Sequence, residues 1–153
     1  MPKRSAGILM YRRPGAALEL LLVHPGGPFW KNKDLGAWSV PKGEYAKGED
    51  PLAAAKREFE EETGIRPLGD CLPLGEVVQK GGKIVTAFAL EGDLDPASLK
   101  SNTFELEWPP RSGRKASFPE VDRAQWFSPD EARQRILASQ GELITRLLHA
   151  IKS

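Results

Sequence analysis

The run GEYAKGEDPLAAAKREFEEETGI, from Gly43 to Ile65, decides how this chain is read. It sets a glycine-bearing turn ahead of a helix and loads one helical face with acid. Asp50 has the side chain of an N-cap, and Pro51 suits the first turn, where its missing N–H has no partner to lose. Gly64 suits the left-handed position just past a helix end. Between them lies an Ala-rich segment of good helix formers. At about 100° per residue, Glu58, Glu61 and Glu62 fall at i, i+3 and i+4 and share a face. Leu52, Ala55, Phe59 and Thr63 cluster roughly 110° around the helix from it. The pattern predicts one side buried in a core and another presenting three carboxylates.

Like charges at this spacing destabilise an isolated helix by about 0.2–0.5 kcal/mol per pair. A hard divalent cation would compensate them, since Mg²⁺ is held by a few carboxylates together with waters and substrate phosphates. The alternative for any Glu-rich helix is a solvated acidic face. Here the glycines, Glu49 and Arg57 stand in register with the glutamates. The stretch resembles the Nudix box, G-x5-E-x7-R-E-U-x-E-E-x-G-U, where U is a bulky aliphatic or aromatic residue. Gly43, Glu49, Arg57, Glu58, Phe59, Glu61, Glu62, Gly64 and Ile65 meet every defined position.

The resemblance implies an α/β fold of the Nudix kind, an α/β/α sandwich with a mixed β-sheet flanked by helices. It implies Mg²⁺ or Mn²⁺ on Glu58, Glu61 and Glu62, with the backbone carbonyl of Lys42, the residue before the first box glycine, as a further ligand. Arg57 matches an arginine that braces the loop and the glutamates, and Glu49 an acid near the helix start. On residue type alone Arg57 could be an ordinary helix ion pair, worth about 0.5 kcal/mol or less. Its capacity for bidentate carboxylate contacts favours the brace.

The implied activity is metal-dependent hydrolysis of a diphosphate linkage in a nucleoside polyphosphate or nucleoside diphosphate derivative, by water attack on phosphorus. Glu58, Glu61, Arg57 and Glu120 form the expected catalytic set. Glu120 stands in FPEVDRAQW, six residues before Trp126, similar to the loop acid of nucleoside-triphosphate-hydrolysing members. A solvated loop carboxylate is the alternative, and geometry decides between them. Arg111, Arg114 and Lys115 lie in the neighbouring WPPRSGRK and are candidate phosphate ligands, arginine by bidentate and lysine by point-charge contact. Such a loop can equally be solvated. Lys31, Lys33 and Lys42 are weaker candidates of the same kind. Trp38, with Trp30 and Trp108, is a candidate for stacking on a base, a contact worth about 1–3 kcal/mol, although core packing is the commoner fate of tryptophan. His24 and His149 make no metal-site spacing and read as structural.

WSVPKGEY, leading into the box, resembles the dinucleoside-polyphosphate and diphosphoinositol-polyphosphate branches. The downstream tyrosine of the first is Gly82 here, and the downstream proline of ADP-ribose hydrolases is Lys80. A broad nucleoside polyphosphate hydrolase is therefore the expectation, with diphosphoinositol polyphosphate hydrolysis as an alternative. A non-catalytic nucleotide-sensing module is a rival, but such modules usually lose a box glutamate and none is lost here. A diphosphate isomerase on this fold needs a cysteine well before the box, and Cys71 follows it.

The 153 residues predict a single domain spanning 1–153 with a real core. Charged residues make up 28% and apolar ones 40%, an ordinary globular composition. A net charge of +1 argues against a general nucleic-acid or membrane binder, leaving a small nucleotide as the expected partner. Cys71 is the only cysteine, so no intrachain disulfide can form, which fits a cytoplasmic location. It reads as a structural thiol before a nucleophile. No apolar run approaches the roughly 20 residues of a membrane span. MPKRSAGILMYRR has too short an apolar stretch for a signal peptide. Nothing in the sequence encodes the oligomeric state.

Period and punctuation give the remaining layout. Ser5–Arg12 and Leu18–His24 read as strands around Pro14-Gly15, with Pro25–Gly36 as a loop. Ala37–Val40 reads as a short strand. Leu72–Gln79 and Lys83–Leu90 form a hairpin around Gly81-Gly82. Thr103–Trp108 reads as a strand, Pro109–Pro119 as a loop and Ala124–Phe127 as a last strand. Ser128-Pro129-Asp130-Glu131 is a capping box that opens a helix, and Glu142–Ile151 is amphipathic.

Overall fold

The computed structural model describes residues 3–15 and 17–151. Helix α1 runs Pro51–Thr63. Its ends behave as the side-chain chemistry dictates. The Asp50 carboxylate accepts the Ala53 N–H at 3.0 Å, and Gly64 closes the helix at φ 79°. That left-handed position sits against the Lys100 backbone, so any Cβ there would be both strained and crowded.

The main sheet has the order β4 (Cys71–Val78), β5 (Ile84–Glu91), β1 (Arg4–Arg12), β2 (Glu19–Pro25), β8 (Val121–Phe127). β1 and β5 are parallel, and the other pairs are antiparallel. β1 meets β2 only at Tyr11 and Arg12 before the two diverge. The short strand β3 (Lys42–Glu44) takes the vacated edge, pairing with Ser5, Ala6 and Gly7. The first box glycine is thereby stitched into the sheet directly beneath α1. The opening strand of this region is thus Lys42–Glu44, not Ala37–Val40, where Trp38 and Ser39 make single bridges to Ile136 and Val23. The Ser39 backbone exchanges both its hydrogen bonds with Val23, and the next N–H, of Val40, donates to the buried Gln140 side chain, so the pairing stops at a single bridge.

Two cores sandwich the sheet. Ala54, Ala55 and Phe59 of α1 pack on Ala6, Ile8, Met10, Leu21 and Val23. The opposite face of the sheet presents Leu9, Leu20 and Leu22 to α2 (Pro129–Arg135) and α3 (Gly141–Ala150). α2 begins at the expected capping box, with Ser128 Oγ accepting the Glu131 N–H. The buried set Ala55, Phe59 and Thr63 matches the face expected of α1.

A second, two-stranded sheet pairs β6 (Thr103–Glu107) with β7 (Lys115–Pro119). The stretch expected to be one loop, Pro109–Pro119, therefore ends in a strand. Ala116 and Phe118 lie on the hairpin face that also carries Phe104 and Leu106, and the last five residues alternate accordingly. β8 likewise starts earlier than expected, at Val121.

Candidate active site

α1 brings the three box glutamates to the edge of β3. Glu58 is buried against Gly43, where an added Cβ would lie 1.6 Å from its Oε1. The glycine is therefore needed for close approach. Glu62 Oε1 accepts the Lys42 N–H at 3.2 Å. Arg57 pairs with Glu49, reaches Glu58 Oε2 at 3.4 Å and the Glu44 carbonyl at 3.3 Å, and stands 4.0 Å from Glu61. It ties the box loop to the carboxylate face, the contacts expected of a brace.

Glu120 arrives from the far end of the sequence. Its N–H donates to the Asn102 carbonyl and its own carbonyl accepts the Gly26 N–H. The segment that precedes β6 is itself pinned to the C-terminal turn of α1, since Asn102 N–H donates to the Glu61 carbonyl and Lys100 N–H to that of Thr63. The hairpin root and the box helix thus share backbone bonds, and this holds Glu120 beside Glu61 and Glu62. These backbone links have no signature in the side chains of Lys100–Asn102.

A cavity of about 200 Å³ opens here, lined by Trp30, Lys42, Glu62, Glu120, Val23 and Leu137 among others. Burial pushes Glu62 up to about 8, with Glu120 and Glu58 adding repulsion against the relief from Lys42. Burial, a hydrogen bond shared with Glu61 and the Glu61 charge push Glu58 up to about 7. Glu120 is also raised, by burial and then by Glu61. Burial holds the Lys42 ammonium below its ordinary value, opposed by Glu62. Four carboxyl groups therefore crowd together with two cationic side chains, Arg57 and Lys42, among them.

The donor set is made of hard oxygens with too little positive charge, which fits a divalent cation such as Mg²⁺. Among the described residues no three metal-ligating side chains are already gathered on a single point. Mg²⁺ does not require that, because waters and substrate phosphates supply the rest of its shell.

The other expected site residues separate into two groups. Trp38 does not reach the cavity, which corrects its expected role. It is 1% exposed, edge-on to His24 and Phe127, with its indole N–H donating to Asp34. Its faces are core contacts and leave no room for a base. Trp30 is the tryptophan that lines the cavity. Arg111, Arg114 and Lys115 stand exposed at the tip of the β6–β7 hairpin. β7 separates that tip from Glu120 by about 13 Å of strand, so sequence proximity does not bring these residues into the cavity. Trp108 packs edge-on against Phe29 beside them.

His24 is structural, as expected. It is fully buried, with Nδ1 2.8 Å from Asp122 and Nε2 2.6 Å from the Lys33 carbonyl, so it fastens the 25–36 loop to β8. Cys71 sits at the start of β4, and burial raises its thiol, the opposite of an activated nucleophile.

The crowding has a pH signature. Glu58 and Glu62 bind protons more tightly folded, near 7 and 8, than at their ordinary value of 4.5. Their contribution to metal-free stability is full below about pH 4.5 and is lost as pH rises through 7 and 8. Thermal melts in EDTA should therefore show this contribution falling from roughly pH 5 to pH 9, with Mg²⁺ restoring stability most at the alkaline end. A metal-free stability unchanged by Glu58→Gln and Glu62→Gln across that range would refute the assignment.

The chain is similar in sequence and in fold to known proteins. A family model described as NUDIX domain matches residues 1–147. A Myxococcus xanthus protein named octanoyltransferase is 30% identical over 135 residues, covering 88% of this chain and 33% of that protein. An RNA pyrophosphohydrolase of Roseobacter denitrificans is 51% identical over 37 residues, 24% of this chain and 23% of that protein. The chain spans about a third or less of the length of these curated relatives. Its fold is similar to that of a C. elegans Ap4A hydrolase binary complex, with a TM-score of 0.67 at 21% identity, covering 96% of this chain and 97% of that one. With a complete box placed on the helix and strand that it requires, and a family model that spans nearly all of its residues, the chain belongs to the Nudix family.

Proposed function

We propose that this chain is a pyrophosphohydrolase that cleaves a diphosphate linkage in a nucleotide derivative by water attack on phosphorus. The observation that carries the reading is the crowding of Glu58, Glu61, Glu62 and Glu120, of which Glu62 and Glu120 line one cavity together with Lys42. The names of relatives such as RNA pyrophosphohydrolase and Ap4A hydrolase support the reaction class.

Glu58, Glu61 and Glu62, with the Lys42 carbonyl, would hold Mg²⁺ or Mn²⁺, in keeping with the family's general use of divalent metals. A bound divalent ion supplies charge neutralisation for phosphate oxygens and a lowered pKa for water. Glu120, half-buried and raised, accepts the proton of the attacking water. Arg57 fixes Glu58 and Glu61 against the box loop. Trp30 offers a face to a base, and Lys42 offers its ammonium to a phosphate. Arg111, Arg114 and Lys115 serve parts of a substrate that extend beyond the cavity. Most of the rate then comes from positioning and charge, as phosphoryl transfer requires.

A small nucleotide is the partner in this account. Among the described residues no helix is long and apolar enough to cross a membrane. The rival of a nucleotide-sensing module without chemistry finds no lost glutamate to support it. Turnover of a panel of nucleoside di-, tri- and tetraphosphate derivatives in Mg²⁺, with products identified by mass, tests the reading. Cleavage at a phosphate linkage, abolished by EDTA, is the expected result, and a folded protein inert on the whole panel would contradict it.

A further inference from the structure

The strand that follows Glu120 carries a bulge. From Leu20 to His24 the register of β2 against β8 is regular, with His24 opposite Arg123, but Pro25 stands opposite Val121. Asp122 is therefore an extra residue. A bulge bends its strand and re-aims the side chains beside it. Here Val121 and Ala124 both face the α1 core although they are three residues apart, a spacing that an unbroken strand puts on opposite faces. Without the extra residue Val121 and Glu120 would each move one place and turn to the other face. The placement of Glu120 beside Lys42 and Glu62 thus depends on the bulge.

His24 meets that extra residue. Its Nδ1 lies 2.8 Å from Asp122 Oδ1 and its Nε2 2.6 Å from the Lys33 carbonyl oxygen. Both partners are acceptors, so the ring serves both only with a proton on each nitrogen. Trp38 stands edge-on to the imidazole, 5.2 Å between ring centres, and restricts its rotation. The imidazole is fully buried, so water does not replace either bond when it is lost. Arg123 also approaches Asp122, at 3.6 Å, but its side chain is more than half exposed and is a weak substitute.

The second tie reaches the loop that carries Trp30. Lys33 N–H donates to the Trp30 carbonyl at 3.0 Å, and the Lys33 ammonium lies 5.3 Å from the centre of the Trp30 ring. Trp30 and Lys33 therefore bracket one turn, and His24 holds that turn by its last carbonyl. One imidazole reaches two walls of the same cavity, Glu120 by way of Asp122 and Trp30 by way of Lys33.

We infer that His24 is a positioning residue for the hydrolysis, fixing Glu120 through the Asp122 bulge and the Trp30 ring through the Lys33 carbonyl. The inference rests on the pyrophosphohydrolase reading with Glu120 as its base. The two ties act on different kinetic constants. Loss of the Asp122 tie displaces the base and lowers kcat. Loss of the Lys33 tie loosens the Trp30 turn and raises KM.

The experiment separates the ties in variants assayed with Mg²⁺ on the best substrate of the nucleotide panel. Asp122→Ala alters a partly exposed side chain and should lower kcat about 10–100-fold, with KM within about twofold. Asp122→Asn keeps an acceptor oxygen and should recover most of that loss. His24→Asn keeps a donor at the place of Nδ1 and has none at that of Nε2, so it should raise KM about tenfold, on the scale of a lost stacking contact. Added to Glu120→Gln, Asp122→Ala should cost less than about threefold more, because the base it positions is already gone. An equal factor in both backgrounds, or kcat and KM unmoved in folded variants, would overturn the inference and leave the hydrolase reading intact. A Glu120→Gln loss below about tenfold would take away the base and the inference with it, again without touching that reading. Ring-nitrogen NMR of the wild type, in which His24 and His149 are the only histidines, covers the case of a variant that does not fold. A proton on each His24 nitrogen is the expected signature, and a single proton would contradict the double tie. A folded wild type inert on the whole panel would overturn the hydrolase reading itself.

Discussion

Glu61→Gln is expected to lower kcat by about 10²–10³-fold or more, the scale of removing one pre-organised charge-stabilising group from a phosphate-handling site. Glu61 is the most useful of the three box glutamates to change. Its side chain is 39% exposed, whereas Glu58 is buried against Gly43 and Glu62 is tied to the Lys42 N–H. The amide is close to isosteric, and it removes a repulsion with Glu58 one turn away. Folding stability should therefore stay level or rise slightly, by a few tenths of a kcal/mol. Loss of turnover without loss of stability separates a chemical role from a structural one. Turnover within tenfold of wild type by a folded variant would remove Glu61 from the chemistry.

Glu120→Gln should cost about 10²–10⁴-fold in kcat, the usual range for a general base. Its backbone is pinned on both sides, by Asn102 and Gly26, so the substituted side chain keeps its place. Burial and the Glu61 charge raise its carboxyl, which brings a base nearer to working pH. The acidic limb of the kcat profile should disappear with the substitution. A loss below tenfold with the limb retained would transfer proton removal to a box glutamate or to water alone.

The box helix was legible because its information is local. Asp50, Pro51 and Gly64 specify its ends, and the 3.6-residue period sorts Phe59 from Glu58, Glu61 and Glu62. The hairpin of β4 and β5 and the helix at Ser128 were legible on the same terms. What the sequence could not show was set by pairing between distant segments. Trp30 and Trp38 are equivalent as residue types. Only the bridge of Trp38 to Ile136 and its hydrogen bond to Asp34 send one into the core and leave the other at the cavity. β7 was missed because KASFP is short and ends in proline, although its Ala116/Phe118 alternation answers Phe104/Leu106. The basic residues of WPPRSGRK are near Glu120 in sequence and a hairpin length away in space.

Isotope labelling of the products tests the central claim most directly. When the substrate is hydrolysed in H₂¹⁸O with Mg²⁺, one ¹⁸O should appear on one phosphate product, none on a carbon atom, and no labelled product at all should form in EDTA. Label on carbon, or undiminished labelled product without a divalent cation, would contradict water attack on phosphorus at a cation held by Glu58, Glu61 and Glu62.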